Sequence, residues 1–452
     1  KLTLEGPIVK DKTSFIISGR RTYADLVAKP FIKQDFSLYF YDLNAKVNHI
    51  FSNKDRLYLS AYMGKDVVGM TENTGSDKMN FGMGYGNITS TLRWNHLFSD
   101  KLFANTTLTY SRYSFNTDFG VSSSENSSSI YNEVLDTTYV GSSSETIDFG
   151  YLSGIEDYGA RIDFDYMPHP NHDIKFGASY TYHKFYPGTS KLSAHLISPD
   201  PSLSSKLDTT INFSEKVKAH EVFYYIEDDI KINNRLKSNV GLHIGYYSVA
   251  DNGFFAKLGE KKNYSIQPRA SLRYLLNDEW SLKASYAGMK QNIHLLSNSS
   301  VGFPSDIWVP AIDSVPSQSS QQWAASLSTE LFHGKVEISL EGYYKTMKNL
   351  ISYKEGYSNL SSTESWDKAV ESAGEGESYG MELFLQKKKG KTTGWIGYTL
   401  SWTNRKFENI NFGEWFPYKY DRRHDFSVVL SHQFTKKFDV GATWVYGTGN
   451  AI

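Results

Sequence analysis

The stretch from Arg423 to Tyr446 constrains this chain more than any other. Phe426, Val428, Leu430 and Phe434 fall on one parity, with His432 interrupting, while Asp425, Ser427, Ser431 and Gln433 fall on the other. After Thr435, Lys436 and Lys437 the alternation resumes, with Phe438, Val440, Ala442, Trp444 and Tyr446 set against Asp439, Gly441 and Thr443. Successive side chains of a strand point to opposite faces, so the run predicts an antiparallel hairpin with one apolar and one polar face. Each arm holds about ten residues, the length a tilted strand needs to cross a bilayer.

The pattern repeats. Short polar turns stand at Lys10-Asp11-Lys12, Asn53-Lys54, Ser99-Asp100-Lys101, Pro168 to Asn171, Asn233-Asn234, Asn277-Asp278, His333-Gly334, Lys387 to Lys391 and Thr435-Lys436, each flanked by alternating arms. Around the fourth turn Ile162, Phe164, Tyr166, Ile174, Phe176, Tyr180 and Tyr182 share one parity; Arg161, Asp163, Asp165, Asp173 and Lys175 share the other. So many charges suit a wet lumen rather than a protein core. Nine turns predict about eighteen strands in one domain, because no linker breaks the rhythm. Between the hairpins lie longer connections, at 117–150 (rich in serine), 187–215, 291–319, 354–374 and 407–420. Long loops on one side and short turns on the other orient an outer-membrane barrel, with the short turns toward the periplasm.

Composition agrees and removes alternatives. Aromatic residues make up 15% of the 452, there is no cysteine, and no 18-residue apolar run offers a helical span. The net charge of −1 gives no reason to expect nucleic acid as a partner. The fold class is therefore all-β, a transmembrane antiparallel barrel in a bacterial outer membrane, with outer-membrane lipid as its surroundings.

Leu4-Glu5-Gly6-Pro7-Ile8-Val9-Lys10-Asp11-Lys12-Thr13-Ser14-Phe15, running on to Gly19-Arg20-Arg21-Thr22-Tyr23, resembles the early barrel hairpin of the TonB-dependent outer-membrane transporters in their Bacteroidota form. Gln267-Pro268-Arg269 and Glu341-Gly342-Tyr343-Tyr344 are similar to the middle of that family. Phe416-Pro417, Asp421-Arg422-Arg423-His424-Asp425 and Tyr446-Gly447-Thr448-Gly449-Asn450 are similar to its late strands. The resemblance implies a barrel of about 22 strands filled by an N-terminal plug. It further implies nutrient import energised through TonB, with a surface lipoprotein as a possible partner. On that reading residues 1–452 are the barrel domain, about eighteen strands of it, with the plug and the last strands expected to lie outside this sequence. A passive porin of about eighteen strands, and a barrel kept as a structural partner in a larger assembly, are the alternatives.

No enzyme is expected. His424 lies between Asp421 and Asp425, but no Gly-x-Ser-x-Gly stretch supplies a nucleophile, so these charges read as the margin of a strand. His169-Pro170-Asn171-His172-Asp173 reads as a solvated turn rather than a metal site, and Gly82-Met83-Gly84-Tyr85-Gly86 lacks the helix a phosphate loop needs. No cofactor is expected. Ligand contacts are expected from loop aromatics and acids, namely Phe303, Asp306 and Trp308 in one connection and Trp415, Phe416 and Tyr418 in another. Arg161, Asp163, Arg269 and Arg273 are expected to line the lumen.

Overall fold

The computed structural model of the protein describes residues 1–32, 35–212, 216–249, 264–296, 307–355 and 365–451. The strands in the first half are β1 (Leu2–Val9), β2 (Thr13–Arg21), β3 (Asp35–Ile50), β4 (Asp55–Thr74), β5 (Asp77–Ser99), β6 (Leu102–Asn132), β7 (Thr137–His169), β8 (His172–Ile197), β9 (Ser205–Asn212), β10 (Val217–Lys231) and β11 (Leu236–Val249). The second half adds β12 (Tyr264–Leu275), β13 (Trp280–Gln291), β14 (Ile293–Leu296), β15 (Ile307–Pro310), β16 (Gln318–Leu331), β17 (Val336–Tyr353), β18 (Val370–Lys387), β19 (Thr392–Lys406), β20 (Phe416–Pro417), β21 (His424–Thr435) and β22 (Phe438–Gly447). One short helix, α1 (Ala24–Ala28), interrupts the connection from β2 to β3. No described helix is long and apolar enough to cross a membrane.

Set β9, β14, β15 and β20 aside, and the remaining eighteen strands form one antiparallel meander from β1 to β22, each paired with the next. All nine short turns fall where the alternation placed them, and every one lies at the same end of the sheet. The arms are longer than the ten residues expected from the last hairpin: β6 runs for 31 residues and β7 for 33. The serine-rich residues 117–150 are accordingly not a loop. They are the outer halves of β6 and β7, paired out to Asn132↔Thr137, with a turn only at 133–136. Serine is a weak strand former on its own, but a backbone ladder that is continuous apart from one irregularity at Glu125–Ser128 pairs the peptide groups and overrides that preference. The 187–215 connection is likewise part strand, since β8 continues to Ile197 and β9 pairs back on it. The Gly82 to Gly86 run sits inside β5, not in a loop or at a strand start.

The two parities separate as the charges required. Leu108, Leu242, Leu272, Leu282, Leu340 and Leu383 are exposed on the outer face, where lipid replaces water. Aromatic rings form cross-strand rows on that face. Tyr286, Trp323, Tyr344, Tyr379 and Trp402 stand opposite one another across β13, β16, β17, β18 and β19, with centroids 5.5, 6.3, 6.3 and 5.3 Å apart. The Arg423 guanidinium lies over Trp402 at 4.4 Å and ends the row. Tyr110, Tyr158, Tyr182 and His220 make a second row across β6, β7, β8 and β10. Such amphipathic rings belong at the level where hydrocarbon meets headgroups.

Candidate ligand chamber

The lumen is crossed near its long-loop end by a two-stranded strap. β14 and β15 pair only with each other, from Ile293↔Pro310 to Leu296↔Ile307. β15 lies against β7 and β8, and β14 against β17, so the strap spans from one wall to another. Its residues alternate like any strand. Leu296, Ile307 and Val309 bury themselves among Phe115, Tyr151, Ile351 and Tyr353 of the wall, joined by Val315, Trp366 and Val370. This is the largest apolar core of the molecule among the described residues, and it sits in the mouth of the sheet rather than under it.

The other face of the strap, Ile293, Leu295 and Trp308, roofs a cavity of about 970 Å³. Its walls mix aromatic and sulfur-bearing side chains (Tyr113, Phe223, Met289, Met347) with charges of both signs (Asp157, Glu221, Arg269, Lys290, Lys345). A pocket with apolar walls and a few converging polar groups is the usual form of a small-ligand site.

A polar latch ties the strap to the wall beside this chamber. The Asn292 amide donates to Glu221 at 2.7 Å, and the Ala311 N–H donates to the Asn292 carbonyl at 2.8 Å. The fully enclosed His183 imidazole lies between two carboxylates, with Nδ1 at 2.7 Å from Asp157 and Nε2 at 3.6 Å from Glu221. A carboxylate accepts, so the first contact places a proton on Nδ1. Phe185, Ala219 and Tyr247 seal the latch from one side, with Ala311 of the strap packed on them. Hydrogen bonds to charged groups in such a setting are each worth roughly 1.5–3 kcal/mol. Beyond the chamber, on β14 itself, His294 is fully buried, and neither ring nitrogen has a hydrogen-bond partner. Burial lowers its pKa to about 4, so the docked strap holds it neutral.

The residues expected to bind ligand distribute unevenly. Trp308 is in the chamber roof and Arg269 in its wall. Phe303 and Asp306 lie outside the described residues. Phe416 pairs with Arg405 in the two-residue β20 and its ring stands 6.3 Å from buried Phe407. Tyr418 lies under the Arg405 guanidinium at 3.4 Å, and Trp415 is exposed, so these three belong to the β19–β21 connection and do not line the chamber. Arg161 bonds Asp163 at 2.7 Å, and the Tyr225 hydroxyl donates to the same carboxylate at 2.6 Å. Arg273 lines a separate cavity of about 770 Å³ toward the short-turn end. Sequence reasoning did not single out Asp157, His183, Glu221 or Asn292. The available signal for Asp157, His183 and Glu221 was titratable groups on the lumen parity of β7, β8 and β10, which only the register brings together; Asn292, between β13 and β14, carried no such signal.

A family model described as TonB dependent receptor-like, beta-barrel, matches residues 31–451. The chain belongs to this family. Its fold is that of solved receptors. The ferric-catecholate import receptor Fiu of E. coli K12 is 14% identical, over 98% of this chain and 68% of that one, with a TM-score of 0.58. The ferric yersiniabactin uptake receptor FyuA from Yersinia pestis is 12% identical, over 98% and 65%, with a TM-score of 0.61. The siderophore receptor PiuA from Acinetobacter baumannii is 11% identical, over 98% and 69%, with a TM-score of 0.57. The chain thus spans about two thirds of the length of these receptors. No curated protein matches it. The receptor barrel is an outer-membrane structure, and its family consists of transporters, not enzymes.

Proposed function

We propose that the whole protein is an active importer, which takes a scarce nutrient into the chamber beneath the strap and releases it inward with energy delivered by TonB. The observation that carries this reading is the strap itself. A hairpin anchored on both walls, with an aromatic and mixed-charge chamber of about 970 Å³ below it, suits a binding step followed by a gated one better than free diffusion. The chamber's chemistry fits a compact, charged organic ligand with flat or apolar parts. Metal chelates of the kind named for the related receptors have that character. Trp308 would stack on the ligand while Arg269, Lys345, Asp157 and Glu221 fix its orientation. A barrel domain over 1–452 working with a plug, a Bacteroidota origin, a surface lipoprotein on the long loops, and Trp415, Phe416 and Tyr418 as its outer contact belong to the same proposal.

The test is uptake and binding together. Cells carrying the full-length gene should accumulate a labelled ferric chelate only while TonB is active, and purified protein should bind that chelate with quenching of tryptophan fluorescence. Trp308→Ala should weaken binding about tenfold, the loss of a stacking contact worth on the order of 1 kcal/mol or more. Uptake that continues unchanged without TonB would overturn active import in favour of a passive channel.

A further inference from the structure

Charge is unevenly placed on the short turns. The three turns that close β16–β17, β18–β19 and β21–β22 hold six lysines (Lys335, Lys388, Lys389, Lys391, Lys436 and Lys437) and no acid. The six turns before them hold five basic residues and four acids, so their charges nearly cancel. The three basic turns are also neighbours. The Lys388 N–H donates to the Lys335 carbonyl at 2.8 Å, and the Gln433 N–H donates to the Lys391 carbonyl at 2.8 Å. Lys387, the last residue of β18, joins them from the wall, where it continues the outer-face row of Met381, Leu383 and Leu385.

The acids of this sector sit on the other side. Glu337 and Glu330, on the lumen parity, hold Lys388 at 2.7 and 3.5 Å, and Asp439 of β22 is also on the lumen parity, next to Phe438. Among the described residues Lys335, Lys387, Lys389, Lys391, Lys436 and Lys437 form no ion pair, and all are exposed. The Lys387 side chain turns toward the rim, with Nζ 4.0 Å from where a Cβ on Gly390 would stand. Its methylenes thus stay on the apolar wall while its charge leaves the hydrocarbon. Beside these lysines, on the outer face, Phe434 and Phe438 stand 5.7 Å apart and more than half exposed, and the His432 ring meets Phe434 edge-on at 4.4 Å.

We propose that this sector of the short-turn end is a binding site for anionic phospholipid of the periplasmic leaflet, its phosphate on the lysines and its first acyl carbons against Phe434 and Phe438. Adjoining strands about 4.8 Å apart bring several ammonium groups within reach of one headgroup. An ammonium meets phosphate as a point charge, so a mobile headgroup is held without a fixed geometry. Gathered like charges repel one another, and an anionic lipid offsets that repulsion where no acid of the protein does. The site lies on the rim and the outer side of the wall. Whatever fills the lumen leaves it open, and it stands whether or not the chamber binds a chelate.

Native mass spectrometry of the purified full-length protein, titrated with phosphatidylglycerol and with phosphatidylcholine, tests this. The wild type should retain phosphatidylglycerol in preference to phosphatidylcholine, a comparison that needs no variant. A Lys387→Gln/Lys389→Gln/Lys391→Gln variant should bind phosphatidylglycerol at least tenfold more weakly, since each cation beside an anionic leaflet strengthens association about fivefold. A Lys10→Gln/Lys12→Gln/Lys54→Gln variant, which removes as many lysines from the balanced turns, should bind like the wild type. Equal retention of the two lipids overturns the proposal, and so does an equal loss in the two variants, which marks general charge attraction. Displacement of the lipid by equimolar inorganic phosphate also overturns it, by assigning the lysines to a free anion.

Discussion

Arginine at Ile396 measures the inside-outside assignment in the membrane. Ile396 sits on the outer face of β19 in a row with Ile338, Leu385 and Val428 of the adjoining strands. Along β19 it stands six residues before Trp402 of the aromatic row. At about 3.3 Å per residue and a tilt near 40°, it lies roughly 15 Å deeper, near the midplane. A cation there costs about 2–4 kcal/mol, a factor of roughly 30 to 1,000 in the folding equilibrium. Thr399 is three residues away on the opposite parity, directly between Glu382 and Asp425. Thr399→Arg is therefore expected to be neutral or stabilising. Trp402→Arg, at the interface, should cost about 0–1 kcal/mol in charge placement. Folding into lipid vesicles across a urea series, followed by tryptophan fluorescence and heat-dependent gel mobility, reads all three. Equal losses from Ile396→Arg and Thr399→Arg would show that the parity does not separate lipid from lumen, and the reasoning would fall.

The strap gives two further predictions. His294 titrates near 4 when the strap is docked and near its ordinary 6.5 when released, so docking is fully stable above pH 6.5 and weakens as pH falls toward 4. The loss approaches about 3 kcal/mol at full protonation. Hydrogen exchange at the strap amides should rise accordingly, and His294→Leu should flatten the profile; parallel profiles in both proteins would refute it. Asn292→Ala removes the bond to Glu221 and should raise strap exchange by a factor corresponding to roughly 1.5–3 kcal/mol, while amides of β16–β19 keep their protection. Unchanged strap exchange would show that the latch does not hold it.

The membrane-crossing part is legible in the sequence. Turn chemistry at Asn53-Lys54 or Asn277-Asp278 lies next to its own alternating arms, so the signal is local, and all nine turns were found. The strap was not legible for the opposite reason. Ile293–Leu296 and Ile307–Pro310 are four residues each, too short to declare a period, and their partners lie on β7, β8 and β17. The latch has the same character. Asp157, His183 and Glu221 are separated by whole strands, and only the pairing of β7 with β8 and of β8 with β10 makes them neighbours. Exposure and chemistry make Phe416 and Tyr418 ligand candidates in the sequence, whereas in the fold Phe416 packs near Phe407 of its own connection and Tyr418 lies under Arg405 at the end of β19.

The outer halves of β6, β7 and β8 have a mechanical consequence. β5 stops pairing with β6 at Asp77↔Ser123, while the ladder of β6 with β7 runs on to Asn132↔Thr137. The projecting part is therefore a cantilever cut from the same plank as the wall, with no hinge at its root. Its ladder has one irregularity, between Glu125 and Ser128, which bends and twists the hairpin locally. Val134 and Leu135, both exposed at the tip, are thus carried at a set height and bearing above the mouth rather than swung freely. Spin labels at 134 and at a rim residue such as Asn411 would give a narrow distance distribution, the signature of a rigid outrigger instead of a tether.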